Sequence, residues 1–264
     1  MIVERIGEKT PDELGLIVCR RGDPFLPATV DRILTIPGIQ GAYDFGADRG
    51  PLPLPIQCAF NARNRGELQR MATDLAVHLT DGNGRPRTMP LIFDVNPDRQ
   101  YTVRVSGALQ PERIAAVGIF TIPFIAYDPF SYSTFESTDI TVDTDMSVDS
   151  DMSVDAEYDF ALSGPGSLAI DNYGNQNIRP VIEITGSFSS LTLTMGGVTT
   201  TYAAPMTGHL VLDFALRTAK IGTANVLGNT NGMFGQLPVG LSTIGVGGSG
   251  INCSIAVRFK GKYV

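Results

Sequence analysis

From Ser163 onward the chain consists of short runs rich in Val, Ile, Leu and Thr, such as RPVIEITG, LTLTM and HLVLDF. These alternate apolar with polar residues and break every 6 to 12 residues at Gly, Asn or Pro. No helical period competes with this rhythm. Successive side chains of a strand point to opposite faces, so each run has one face to bury, and frequent turn residues fold the chain back on itself. The pattern predicts an antiparallel β-sandwich over residues 163–264.

The N-terminal part, residues 1–135, reads as a second β domain with one helix. Its strand candidates include LGLIVCR, RILTIPG and VGIFTIPFIAY. Pro37-Gly38 fits a type II turn, because proline presets the first central residue and glycine tolerates the positive φ of the second. The prolines of PLPLPIQCAF, residues 51–60, predict a sheet edge or a strand start. In ELQRMATDLAVHL, residues Leu68, Met71, Ala72, Leu75, Ala76 and Leu79 recur at the spacing of one helical face, which predicts a helix over about residues 64–80 that stops at Gly82. Further on, Asn96-Pro97-Asp98 separates LIFDV from YTVRVSG as a turn. The fold class is therefore mainly β.

Between the two parts lies a connector, residues 136–162, with a composition of its own. Eight acids and no base fall between Asp139 and Asp159, and from Ile140 to Leu162 apolar residues mostly hold the even positions while acids and small polar residues hold the odd ones. A disordered linker has no reason to keep that register, so the sequence predicts a strand with one acidic face. Its length of roughly 70 Å at strand rise exceeds usual strands, which calls for a bend or hairpin near Ser147 or Ser150. The alternation is not an EF-hand. Counting from Asp143, the required glycine and glutamate positions hold Val148 and Val154.

The 264 residues suffice for one large domain or two ordinary ones. The acidic start MIVERIGEKTPDEL is unlike a signal peptide, and no window reaches the roughly 18 apolar residues that span a bilayer. Cys19, Cys58 and Cys253 lack metal or disulfide spacing and read as small apolar residues. Residues 1–113 hold 14 bases and 14 acids, residues 114–178 hold 11 acids and no base, and residues 179–264 hold 6 bases and 2 acids. No face carries the basic excess that phosphate binding needs, so sequence-specific nucleic-acid binding is not expected. The acidic block reads either as a solvated face or as a surface that meets the basic tail of another copy.

Catalytic signatures are absent from the sequence. Gly245-Val246-Gly247-Gly248-Ser249-Gly250 matches a dinucleotide fingerprint in letters only, since a strand rather than a helix follows, and it reads as a hairpin loop. His78, on the helix, and His209, near a strand start, have no metal-ligand neighbours in sequence. No catalytic residue, cofactor or metal is expected. A sugar site commonly stacks a ring on an aromatic side chain. The chain has no tryptophan, which leaves Tyr173, Tyr202 and Phe188 as candidates, with core packing as the competing assignment.

The order of IPGIQGAYDFG, ELQRMATDLAVHLTDG, RTMPLIFDVNPDRQYTVRVSG and FTIPFIAYDPFSYS, followed by IDNYGNQNIRPVIEITG, HLVLDFALRTAKIG and MFGQLPVGLSTIGV, resembles the distal tail proteins of long, non-contractile phage tails. The resemblance spans nearly the whole chain, but its motifs are patterns of turn and strand residues. It implies a galectin-like C-terminal sandwich and a hexameric ring at the virion tail tip, single or stacked as a double ring, made in the host cytoplasm. N-terminal domains would form the ring. Its partners would be the tail tube protein above and the hub, lysin or fibre proteins below. Arg99, Tyr101 and Arg104, with Tyr43 and Arg49, are the expected ring contacts. The alternative is a carbohydrate-binding sandwich module for cell-wall attachment, using Tyr173 and Tyr202.

Overall fold

The computed structural model describes residues 3–21, 27–109, 112–114, 117–139 and 158–264. The acidic alternating strand expected from Ile140, together with its bend, falls up to residue 157 outside the described residues. The chain divides into two compact units, Met1–Ser131 and Tyr132–Val264. Each is mainly β, as expected, and the one α-helix among the described residues lies in the first.

The first unit comprises β1 (Val3–Ile6), β2 (Leu16–Arg21), β3 (Thr29–Leu34), β4 (Tyr43–Arg49), β5 (Leu52–Asn61), α1 (Arg65–Leu79), β6 (Met89–Phe93), β7 (Asn96–Val105), β8 (Glu112–Ile114) and β9 (Val117–Ala126). Its main sheet runs in the order β1-β6-β7-β9-β5-β2, with β8 alongside β9. Leu68, Leu75 and Leu79 of α1 are buried in one core with Leu54, Ile56, Phe60, Leu91, Ile122 and Phe124 of the sheet. The helix begins where Asn64 caps it, its side chain accepting from the Glu67 N–H at 2.9 Å, while Glu67 Oε2 reaches back to the Arg63 N–H at 2.7 Å. At its far end His78 Nε2 donates to the Ile6 carbonyl at 2.8 Å, which ties the last turn to β1.

Three local expectations for this unit need correction. The helix ends at Leu79 rather than at Gly82, because the chain there turns into a bridge between Thr80 and Pro86. Ala76 lies on the rim of the apolar face and is exposed. The hairpin after Phe93 closes at Asp94-Val95, since Phe93 pairs with Asn96, while Ile92 pairs with Gln100. Pro97–Arg99 thus bulge out of β7, the position that proline tolerates. The prolines of β5 mark a strand start, one of the two readings the sequence allows, in a strand that lies inside the sheet. Its prolines 53 and 55 sit where it pairs with β9 alone, because β2 joins only from Ile56 onward, so their missing N–H groups leave no gap in a ladder.

The second unit comprises β10 (Ser131–Ser133), β11 (Asp159–Leu162), β12 (Gly166–Asn172), β13 (Val181–Phe188), β14 (Ser190–Met195), β15 (Val198–Tyr202), β16 (Met206–Asp213), β17 (Thr218–Ile221), β18 (Ala224–Asn225), β19 (Gly240–Ser249), β20 (Asn252–Arg258) and β21 (Lys262–Tyr263). Two antiparallel sheets, β11-β20-β13-β16-β17-β18 and β12-β19-β14-β15, share one core. Ile182, Ile184, Leu212 and Ile255 of the first meet Leu168, Ile170, Leu193 and Ile244 of the second there. This is the sandwich that the alternation predicts. The glycine run is a strand rather than a loop: Gly245 in β19 pairs with Ser167 on one side and Thr194 on the other, and only Gly250, at φ 64°, makes the turn. A Cβ on Gly248 would run into the backbone of Ser190 and one on Gly247 would lie 2.6 Å from the Thr192 hydroxyl, so these two positions of the run are short of room for a side chain.

Candidate functional site

The most unusual surface of the first unit is the hairpin of β3 and β4. The sequences TVDRIL and YDFGADR pair from Thr29–Arg49 to Leu34–Tyr43, with a bulge between Asp31 and Ile33. Gly46, at φ 90°, absorbs the bulge, and its N–H donates to Asp44 Oδ1 at 2.8 Å. At the tip, Pro37-Gly38 makes the expected turn, with Gly38 at φ 88° and the Ile39 N–H donating to the Ile36 carbonyl at 3.2 Å. At the base, the Gly50 N–H donates to the Ala28 carbonyl at 2.7 Å.

What this hairpin lacks is cover. It forms a two-stranded sheet of its own, and every residue from 28 to 49 is exposed. The exposed side chains include Val30, Ile33 (62%), Leu34, Ile36, Ile39, Tyr43 (54%) and Phe45 (67%). Two-stranded ribbons are marginal in water, and contiguous exposed apolar residues of this number mark an interaction surface. Both outer edges also present unpaired backbone groups among the described residues, a template for a further strand. The exposed Arg32–Asp48 ion pair contributes little to holding the ribbon.

The expected contact residues fall into two sets. Tyr43 and Arg49 lie on β4, whereas Arg99, Tyr101 and Arg104 lie on β7, which β4 does not pair with. Arg49 stands over the Phe130 ring at 5.4 Å and Arg104 over the Tyr127 ring at 4.3 Å. A hydrogen bond from Arg104 stabilises the phenolate of Tyr127 and lowers its pKa. Arg99 lies 3.6 Å from Asp98, and the half-buried Tyr101 meets Phe93 edge-on at 6.1 Å. The sequence reading named Tyr43 but not Ile33 or Phe45 of the same exposed hairpin, although the alternation of TVDRIL and the aromatic in YDFGADR are plain in the letters.

The aromatic residues considered for sugar stacking are all core residues. Tyr173 is buried against Phe259 with ring centroids 5.3 Å apart, and its hydroxyl meets Ser133 and the Phe259 carbonyl at 3.4 Å. Burial pushes its pKa up to about 12. Tyr202 is buried edge-on to Phe188, and its hydroxyl accepts from Asn229 Nδ2 at 3.1 Å. Neither ring offers a face to a sugar. His209 Nδ1 lies 3.0 Å from the Thr185 hydroxyl on the neighbouring strand. Among the described residues no group of three or more His, Cys, Asp or Glu could hold a metal ion, and no helix is long and apolar enough to cross a membrane.

The hairpin lies inside a recognisable domain. Residues 16–126 match the phage tail protein RIFT-related domain. The chain also has the fold of the SPP1 Dit protein, described as a paradigm of the hub adsorption apparatus of phages infecting Gram-positive bacteria. That match has a TM-score of 0.67 at 12% identity and covers 100% of this chain and 98% of that one. These two likenesses bear out the resemblance to distal tail proteins. The phage P2 baseplate in its activated conformation with Ca aligns over 95% of this chain and 92% of that one, with a TM-score of 0.37 and 7% identity. No curated protein matches the chain in sequence.

Proposed function

We infer that this protein is a structural component of the tail tip of a long, non-contractile phage tail, where six copies close into a ring that joins the tail tube to the hub and host-recognition proteins. The observation that carries the reading is the exposed hairpin. Its apolar side chains and two open edges need a covering surface that the described residues of their own chain do not supply, and in a homo-oligomer that surface belongs to the next copy. A contact between unlike patches propagates head to tail and closes into a ring when the rotation allows. In this arrangement β3 and β4, with Tyr43 and Arg49, lie across the neighbouring first unit, and Arg99, Tyr101 and Arg104 of β7 line the ring contact. The sandwich faces outward. Solution mass by light scattering, with negative-stain imaging of the same peak, tests it: six times the 28.2 kDa chain mass, or twelve for stacked rings, is expected. A strictly monomeric protein that also fails to assemble with tail tube and hub proteins refutes the ring.

A further inference from the structure

The second unit carries a cleft of about 670 Å³ whose lining is unlike the rest of this acidic chain. Four of the six bases beyond residue 178 line it: Arg179, Arg258, Lys260 and Lys262. Among the described residues the carboxylates in its wall are Glu136 and Glu183, so this lining carries a net charge of +2. The segment RFKGK, which runs from the last residue of β20 into β21, explains the clustering. Val257, Phe259, Gly261 and Tyr263 are buried, whereas Arg258, Lys260 and Lys262 are half-exposed in between, so the three bases are left on the surface together and all line the cleft.

That row of bases is held firmly. Ser137 Oγ donates to the Val257 carbonyl at 2.7 Å and accepts from the Phe259 N–H at 3.1 Å, and Ser133 Oγ accepts from the Gly261 N–H at 3.0 Å. Across the cleft, the bridge between Ile178 and Leu237 places Arg179 and Gln236. One Arg258 nitrogen reaches Glu183 at 3.1 Å. The Nε atoms of both Arg179 and Arg258 are buried with no acceptor among the described residues. A buried guanidinium donor left without an acceptor costs free energy, so two beside one cleft mark a place for an incoming anion.

We propose that this cleft binds an anionic, hydroxyl-rich ligand, a sugar acid or a polyol phosphate, whose carboxylate or phosphate group engages Arg179 and Arg258. Its volume is that of a site for a ligand of several rings rather than for a single ion. Asn177 and Gln236 supply amide donors and acceptors for hydroxyl groups, and Lys260 supplies long-range attraction. The inference concerns the sandwich alone and stands whether or not the first unit forms a ring.

Calorimetric titration of the full chain with a galacturonate trimer, a glycerol-phosphate trimer, maltotriose and hexaglutamate tests it. Binding of one or both anionic hydroxylated trimers is expected, weakening with added salt, and the stronger arm tells carboxylate from phosphate. Lys260→Glu and Arg179→Gln should each weaken it about tenfold or more, whereas Lys220→Glu, an exposed base outside the cleft, should leave it unchanged. Thermal melts establish that each variant folds, and either cleft variant alone suffices if the other does not. Three results overturn the proposal: no binding of either anionic trimer at about 1 mM, equal loss with Lys220→Glu, or hexaglutamate binding as tightly as the trimers.

Discussion

Replacing Phe45 by alanine separates a residue that stabilises the subunit from one that stabilises an assembly. Phe45 is 67% exposed on β4. A phenylalanine carries about 200 Å² of surface, so about 130 Å² of it lies in water in the single chain. Covering that area against a neighbouring copy stabilises the contact by about 3 kcal/mol at about 25 cal/mol/Å², of which alanine retains a small part. The expected loss of about 2.5 kcal/mol per contact corresponds to about a 70-fold weaker association. The folded monomer should change by no more than about 0.5 kcal/mol, because the ring touches no core. Light scattering over a concentration series reads the first number and chemical denaturation of the dissociated chain reads the second. An association unchanged within a factor of three, or a monomer destabilised as much as its assembly, refutes the assignment of this hairpin as the inter-subunit contact.

Other perturbations address the sandwich. A Cβ on Gly174 would lie 2.6 Å from both the backbone N and O of Lys262, so Gly174→Ala should lower stability in urea by about 1–3 kcal/mol. Ser137→Ala removes two buried hydrogen bonds, to the Val257 carbonyl and from the Phe259 N–H, and should cost a similar amount, about 1–3 kcal/mol, with no change in secondary structure by circular dichroism. Burial raises the pKa of Tyr173 to about 12 from its ordinary 10.0, and that of Tyr158 also lies above the ordinary value. A group whose folded pKa is raised contributes stability that is complete below its unfolded pKa and is lost as pH rises toward the folded one. The melting temperature should therefore hold up to about pH 10 and fall between about pH 10 and pH 12, less steeply in Tyr173→Phe. A flat profile over that window would contradict the burial of the phenol.

Much of the architecture was legible because period-two alternation and turn residues act locally. RPVIEITG and HLVLDF are β13 and β16, and the spacing of Leu68, Leu75 and Leu79 is the buried face of α1. What misled were residues whose meaning depends on a neighbour. The glycines of β19 read as a loop because the crowding by Thr192 that forbids a side chain comes from another strand. Tyr173 read as either platform or core for the same reason, since Phe259 lies 86 residues further along. The hairpin's alternation was visible but not its exposure, because alternating sequence implies a covered face without saying which molecule covers it. For the cleft, the outward bases of RFKGK are spelled out in order, whereas Arg179 joins them through the Ile178–Leu237 bridge, for which the sequence carries no sign.

The serine pegs that hold the basic row also set an order of events during synthesis. Ser133 bonds Gly261 across 128 residues and Ser137 bonds Phe259 across 122, so the sandwich is not complete until both ends of that span have left the ribosome. The central β5–β9 ladder of the first unit, in contrast, closes at Ala126. At about 5–20 residues per second, the first unit is available roughly 6 to 25 s earlier than the second. Through that interval the β3–β4 hairpin stands folded on a nascent chain with its apolar side chains in water. On the ring proposed above, neighbouring nascent chains on one message would offer it the same surface that a finished copy does, and the earliest subunit pairs would form while the sandwiches are still being made.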